Sequence, residues 1–226
     1  MMRLTAGVIF LALSWSGTLL AESGAGHIKT ATAIAVPDPG KLQTATAQAS
    51  ASQVVAGLYD HLLLAMRQGE TMDFQKRYDA LQASIERSFD LPLMTRFAAG
   101  SGWLKADALQ QQRLINAFSD FSIATYASRF KSYDGEEFVV VNEKPAEGGG
   151  IIVETKLIPK ADAPVTLNYL LRQDKQGAWR INDVYLDATI SEMATRRAEF
   201  SAVIKADGVD RLIENIQQKV QTLRQL

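Results

Sequence analysis

After Asp134-Gly135 the spacing of apolar residues changes from near four to two, and this change constrains the fold more than any other feature of the chain. Four segments then alternate apolar with polar residues: Glu137 to Glu143, Ile151 to Leu157, Pro164 to Arg172 and Ala178 to Leu186. The stretches between them, "PAEGGG", "PKADA" and "DKQG", are short turns, so an antiparallel meander is expected. Val165, Leu167, Tyr169 and Leu171 point one way and Thr166, Asn168 and Arg172 the other, which predicts one buried face and one mostly wet face.

Before this break the pattern is helical. A folded domain is expected over 49–226, beginning near Ser50, where Val54, Val55, Leu58, Tyr59, Leu62, Leu63 and Met66 repeat at helical spacing up to Gly69. A second helix is expected from about Met72 to Ser88. In "FDLPLMTRFAAGSGW", residues 89–103, Asp90 suits an N-cap and Pro92 the first turn, which predicts a helix of about eight residues. A long helix follows from about Ala108 to Tyr133, with Asp107 and Gln110 as a capping pair and a stripe of Leu114, Ala117, Phe118, Phe121, Thr125, Tyr126 and Phe130. Two helices close the chain, about Ser191 to Lys205 and Val209 to Leu226, divided at Asp207-Gly208. Helices, meander, helices is the order of an α+β domain, with helices laid on one face of the sheet.

Residues 4–21, "LTAGVIFLALSWSGTLLA", are uncharged and follow Met1-Met2-Arg3, so residues 1–23 read as a signal peptide cleaved near Ser23 or Ala25. An uncleaved anchor is the alternative, weakened by Ser14, Ser16, Gly17 and Thr18. Residues 24–48, rich in Ala, Thr, Gly and Pro without a period, read as a disordered tether. The chain has no Cys, so disulfides and thiolate metal sites are excluded. With 24 Lys+Arg against 25 Asp+Glu, net charge supplies no pull toward nucleic acid.

Catalytic constellations are scarce. His27 falls in the tether, which leaves His61 alone on the first helix, off its apolar face. There is no "HExxH" and no Walker-type loop, and "GGG" at 148–150 precedes no helix start. Asp183 with Asp187, or Asp134 with Glu136 and Glu137, could serve as paired carboxylates or a Ca²⁺ site. Each also suits a turn or an ordinary hydrogen-bond acceptor. What stands out instead is apolar: Leu91, Leu93, Met94, Phe97, Trp103, the Phe118/Phe121/Tyr126/Phe130 stripe and the buried face of the meander. These side chains suit a core one by one. As a group they also suit an apolar pocket between sheet and helices.

Several of these residues carry a resemblance. Asp90, Met94, Arg96, Gly100 and Trp103, then Phe118 with Thr125-Tyr126-Ala127, then Tyr133, Tyr169, Gly177, Trp179, Asp183 and Val184 fall in the order and spacing seen in one family. Over about residues 50 to 222 the chain resembles the exported lipid carriers of the MlaC and toluene-tolerance type, soluble components associated with lipid ABC transporters in Gram-negative envelopes. It departs from many members at Thr195-Arg196-Arg197, where they have Asn-Tyr-Arg, so that Arg197 carries over and Arg196 does not. "DATISE" at 187–192 also replaces a segment that usually contains Gly, and both features look more like the hopanoid-associated HpnM branch.

The resemblance implies a periplasmic carrier of a phospholipid or hopanoid-type lipid. Its partners would be inner-membrane and outer-membrane lipid transport complexes, and no cofactor or metal is implied. Elementary energetics agree with such a task, because a 16-carbon chain opposes leaving a membrane by on the order of 12 kcal/mol. The residues expected to line the pocket are Leu93, Met94, Phe97, Phe118, Phe121, Tyr126, Phe130, Leu167, Tyr169 and Val184. Arg96 and Arg197 would meet a head group or a partner; equally, Arg197 could form a surface pair with Glu192 or Glu199. Two other readings are carried alongside: a small pocket enzyme with Asp183 as general base, and a docking module whose last helix offers Leu212, Ile216 and Val220 to a partner.

Overall fold

The computed structural model describes residues 49–69 and 71–225. The expected signal peptide and tether lie outside the described residues. Helix α1 spans Ala51–Gln68, α2 Phe74–Ser88, α3 Leu91–Ala99 and α4 Ala108–Arg129, with a 3₁₀ segment Gly100–Lys105 between the last two. Strands β1 Glu137–Pro145, β2 Ile151–Ile158, β3 Val165–Gln173, β4 Trp179–Leu186 and β5 Ile190–Ser191 follow, and α5, Glu192–Arg224, completes the domain.

Local chemistry sets the helix starts. Ser50 with Gln53, and Asp107 with Gln110, form reciprocal capping boxes at α1 and α4. The Leu93 amide donates to the Asp90 side chain at 3.0 Å, and Pro92 sits in the first turn of α3, where a missing N–H costs nothing. The stop of α5 expected at Asp207-Gly208 is a break within one long helix: Gly208 has φ 85° and ψ 176°, a backbone state open almost only to glycine. Beyond it the chain turns back, since Lys219 interacts with Glu199, whereas twenty residues of straight helix would span about 30 Å.

The strands pair antiparallel in the order β1-β2-β3-β4-β5. The meander thus has five strands rather than four, because β5 is only two residues long and leaves no periodicity to read. Val153, Thr155 and Leu157 of β2 face Tyr169, Leu167 and Val165 of β3, and all six are buried. On β4 a bulge skips Asn182: Leu170 pairs with Asp183 and Leu171 with Ile181. The extra residue resets the alternation, so that Ile181 and Val184 are both buried.

The other sheet face departs from expectation at one point. Asn168 is buried rather than wet, in register between Glu154 and Tyr185, and its Oδ1 has no hydrogen-bond partner. Helix α4 is central, burying Ile123, Ala124, Ala127 and Ser128 in addition to its aromatic stripe. The C-terminal stripe Leu212, Ile216 and Val220 is buried in the core, which removes it as a docking face.

Candidate functional site

The α2–α3 junction is pinned to the sheet, where the Asp90 amide donates to the Ile181 carbonyl at 2.9 Å. That anchor places α3 against α4 and the start of α5, and a cavity of about 20 Å³ lies between them. Ile85, Phe89, Leu91 and Met94 line one side of it, and Phe118, Phe121, Ser122 and Tyr126 line another. Val184, Glu192, Met193 and Arg196 complete it. A second cavity of about 10 Å³ is bordered by Phe121, Arg196, Glu199, Phe200, Leu212, Asn215, Ile216 and Lys219.

Of the residues expected to line a pocket, Met94, Phe118, Phe121, Tyr126 and Val184 do border the first cavity. Leu167 and Tyr169 are buried deeper, with Tyr169 edge-on to Tyr59 of α1 at 5.8 Å. Phe130 is half-buried and stacks on Tyr126 at 5.5 Å. Leu93 and Phe97 do not line the space; they are 43% and 45% exposed. In α3 it is Leu91, Met94, Thr95 and Ala98 that turn inward, leaving 93 and 97 on the opposite side. Arg96 is exposed, and the Arg197 guanidinium lies over the outward Phe97 ring at 5.1 Å.

The space is also smaller than the apolar surplus suggested. Twenty cubic ångströms holds about one water molecule, far less than an acyl chain fills.

The charged element of the site was not legible as such. Arg196 is 2% exposed, and its guanidinium donates to Glu192 at 2.7 Å and Glu199 at 2.9 Å while lying over Phe121 at 5.1 Å. The pair expected between Arg197 and these glutamates is therefore made by Arg196. Burial raises the Glu192 carboxyl above its ordinary value against the opposing pull of Arg196. Burial likewise lowers the Arg129 guanidinium and the Lys219 ammonium nearby. The Tyr126 and Tyr169 phenols are pushed well up, chiefly by desolvation, and stay neutral.

Asp183 does not stand free as a base. It accepts from the Val184 amide at 2.8 Å, the Ser191 hydroxyl at 2.6 Å and the Met193 amide at 3.0 Å, holding the start of α5 to β4. His61 is exposed, with Nδ1 2.7 Å from the Gly57 carbonyl. Among the described residues no three His, Cys, Asp or Glu side chains gather as a metal site.

Fold and cavity together define a class: an α+β protein in which helices cover an open five-stranded meander and enclose a narrow apolar space. The family model described as MlaC protein matches residues 57–218, well over half of the chain, and the chain belongs to the MlaC family. The phospholipid-binding protein of Ralstonia solanacearum, solved in complex with a phospholipid, has a similar fold, with a TM-score of 0.67 at 22% identity. The match covers 77% of this chain and 99% of that one. No curated protein matches the chain.

Proposed function

We propose that this protein is a lipid carrier that takes a phospholipid or a hopanoid-type lipid between the membranes of a cell envelope without making or breaking a bond. The observation that carries the reading is the apolar cavity bordered by Met94, Phe118, Phe121, Tyr126 and Val184 in a member of the MlaC family. A chamber walled by these side chains offers a tail the environment it loses on leaving a membrane, worth about 0.8 kcal/mol per methylene. The phospholipid bound by the Ralstonia protein supports phospholipid as the first cargo to test.

Because the cavity holds only about 20 Å³, loading needs α3, α4 and the first half of α5 to part. Periplasmic location, association with an ABC transport system and hand-over to inner-membrane and outer-membrane lipid transport complexes belong to the same proposal. They rest on the family and on the uncharged segment at residues 4–21. The engaged carboxylate of Asp183 gives the pocket-enzyme alternative no support.

The test is native mass spectrometry of the purified chain after incubation with phosphatidylglycerol vesicles and removal of the vesicles. A protein peak shifted by the mass of one lipid is expected. A chain that emerges unloaded, both as purified and after incubation, refutes the carrier reading.

A further inference from the structure

The outer side of α3 combines hydrocarbon with positive charge. Leu91 and Met94 turn into the first cavity, while Leu93, Arg96 and Phe97, at i, i+3 and i+4, share an exposed face. The 3₁₀ segment carries this surface onto α5. A Cβ on Gly100 would lie 3.3 Å from the Ser201 hydroxyl and 3.4 Å from the Arg197 side chain, and one on Gly102 would lie 2.7 Å from Ile204, so the segment rests directly on the first half of α5. From there the Arg197 guanidinium reaches over the Phe97 ring. Leu104, at the end of the segment, is 81% exposed, and Leu109, in the first turn of α4, is 69% exposed. Four of the nine exposed large hydrophobic side chains among the described residues thus fall within residues 93–109. Exposed leucines scattered singly are ordinary, whereas a group interleaved with cations marks a contact surface.

The charge is one-sided. Within residues 91–106 and 193–206 the exposed charged side chains are Arg96, Lys105, Arg197 and Lys205, all cations, on a chain whose net charge is −1. The acid of these stretches, Glu199, is held by the buried Arg196 at 2.9 Å. At the margins Asp90 and Asp107 are engaged as helix caps, and Asp207 stands beside the break in α5.

We propose that this face, formed by Leu93, Arg96, Phe97, Leu104, Lys105 and Arg197, seats the protein on an anionic lipid bilayer. The inference concerns where the protein stands on a membrane and not what it carries, so it does not rest on the carrier reading.

The arrangement of the side chains favours a bilayer over a folded partner. Arg96 falls between Leu93 and Phe97, Lys105 follows Leu104, and Arg197 lies on Phe97. A folded partner needs a matched pocket for each apolar group and a matched acid for each cation. A bilayer interface takes each group independently, with hydrocarbon entering to the acyl boundary while guanidinium and ammonium heads stay among the lipid phosphates. Each Lys or Arg near an anionic surface strengthens binding about fivefold, so three of them supply about a hundredfold, reduced by salt. Seated this way, the bilayer is one helix away from the first cavity, because α3 supplies both the outer face and the cavity wall.

The test is co-sedimentation of the full chain with phosphatidylglycerol vesicles and with phosphatidylcholine vesicles at low ionic strength. Wild type should bind phosphatidylglycerol about a hundredfold more tightly, and Arg96→Gln/Lys105→Gln/Arg197→Gln should lose most of that preference. Lys144→Gln/Lys156→Gln/Lys160→Gln removes as many cations from the β1–β2 side of the protein and should leave the preference in place. Leu93→Ser/Phe97→Ser/Leu104→Ser should weaken binding about tenfold or more, a loss that persists when added salt screens the cations. All these positions are exposed, so the variants should keep the wild-type circular dichroism spectrum, and residues 4–21 contribute equally to every chain compared.

Equal binding of wild type to both vesicles, or an equal loss in the β1–β2 variant, overturns the proposal. Failure of wild type to sediment with either vesicle also overturns it, and leaves the face to an acidic protein. Uptake is read separately by native mass spectrometry: a chain that binds vesicles through this face but never loads refutes the carrier reading alone, and one that loads with no face-dependent binding refutes this inference alone.

Discussion

Phe121 stands where the two small cavities meet. Its ring is 3% exposed, borders both cavities and lies under the Arg196 guanidinium. Phe121→Ala removes that packing, and a Phe→Ala change in a core costs about 3–5 kcal/mol. Part of the cost comes from a cation–π contact, worth up to about 2 kcal/mol when desolvated. A domain of this size shifts by about 2–4 °C per kcal/mol, so the melting temperature should fall by roughly 6–20 °C.

The hole left behind joins the two small cavities, and a bound tail can refill it. Thermal unfolding followed by circular dichroism should therefore show a larger upward shift on adding phosphatidylglycerol vesicles for the variant than for wild type, because a ligand that binds only the folded state stabilises it. A loss below about 1 kcal/mol would mean that the ring is not packed at that junction. Equal lipid shifts in the two proteins would mean that the space beside it is not where tails go.

Three further outcomes test the backbone and the charges. A Cβ on Gly69 would lie 2.0 Å from the Lys131 carbonyl oxygen, whereas one on Gly208 meets nothing within 4 Å, so Gly69→Ala should unfold at markedly lower denaturant than Gly208→Ala. The latter should lose only the cost of its glycine-only backbone state, about 1–3 kcal/mol. Ala188 has φ 62° in the tight β4–β5 connection, so Ala188→Gly should raise the melting temperature by a few degrees, the relief of about 1 kcal/mol. The Glu192 carboxyl, facing Arg196, Glu199, Asp183 and Arg129, is raised above 4.5 in the folded chain. Its contribution to stability is therefore fully present below its unfolded value and is lost as pH rises through the folded one. Glu192→Gln should flatten that part of a stability-against-pH curve measured by urea unfolding.

The meander and the helix order were legible because each element repeats its period several times. The residues that went astray sit where repetition is short or a rule is broken. Helix α3 has only nine residues, and Leu91, Leu93, Met94 and Phe97 surround it with hydrocarbon, so its phase is undetermined from the sequence. Thr95 and Ala98 face inward although polar or small, the Thr95 hydroxyl being satisfied there by the Leu91 carbonyl at 2.7 Å.

Arg196 broke the expectation that arginine faces water. The only trace in the sequence is compensation, Glu192 four residues before and Glu199 three after, a spacing that surface helices share. The bulge at Asn182 leaves no mark at all, yet without it Ile181 and Val184 could not both be inside. The fullness of the interior was illegible for a related reason, since a count of apolar residues does not reveal how well they interlock.

One end of the sheet has a further consequence. Among the described residues strand β1 is unpaired along its outer side, and Val141 swells out of register there, 55% exposed, on a strand that ends in Lys144 and Pro145. Such irregularity and charge make a poor template for another chain's backbone. A carrier of the kind proposed, loosening its helices to load, would thereby be kept from zipping onto its neighbours while ajar.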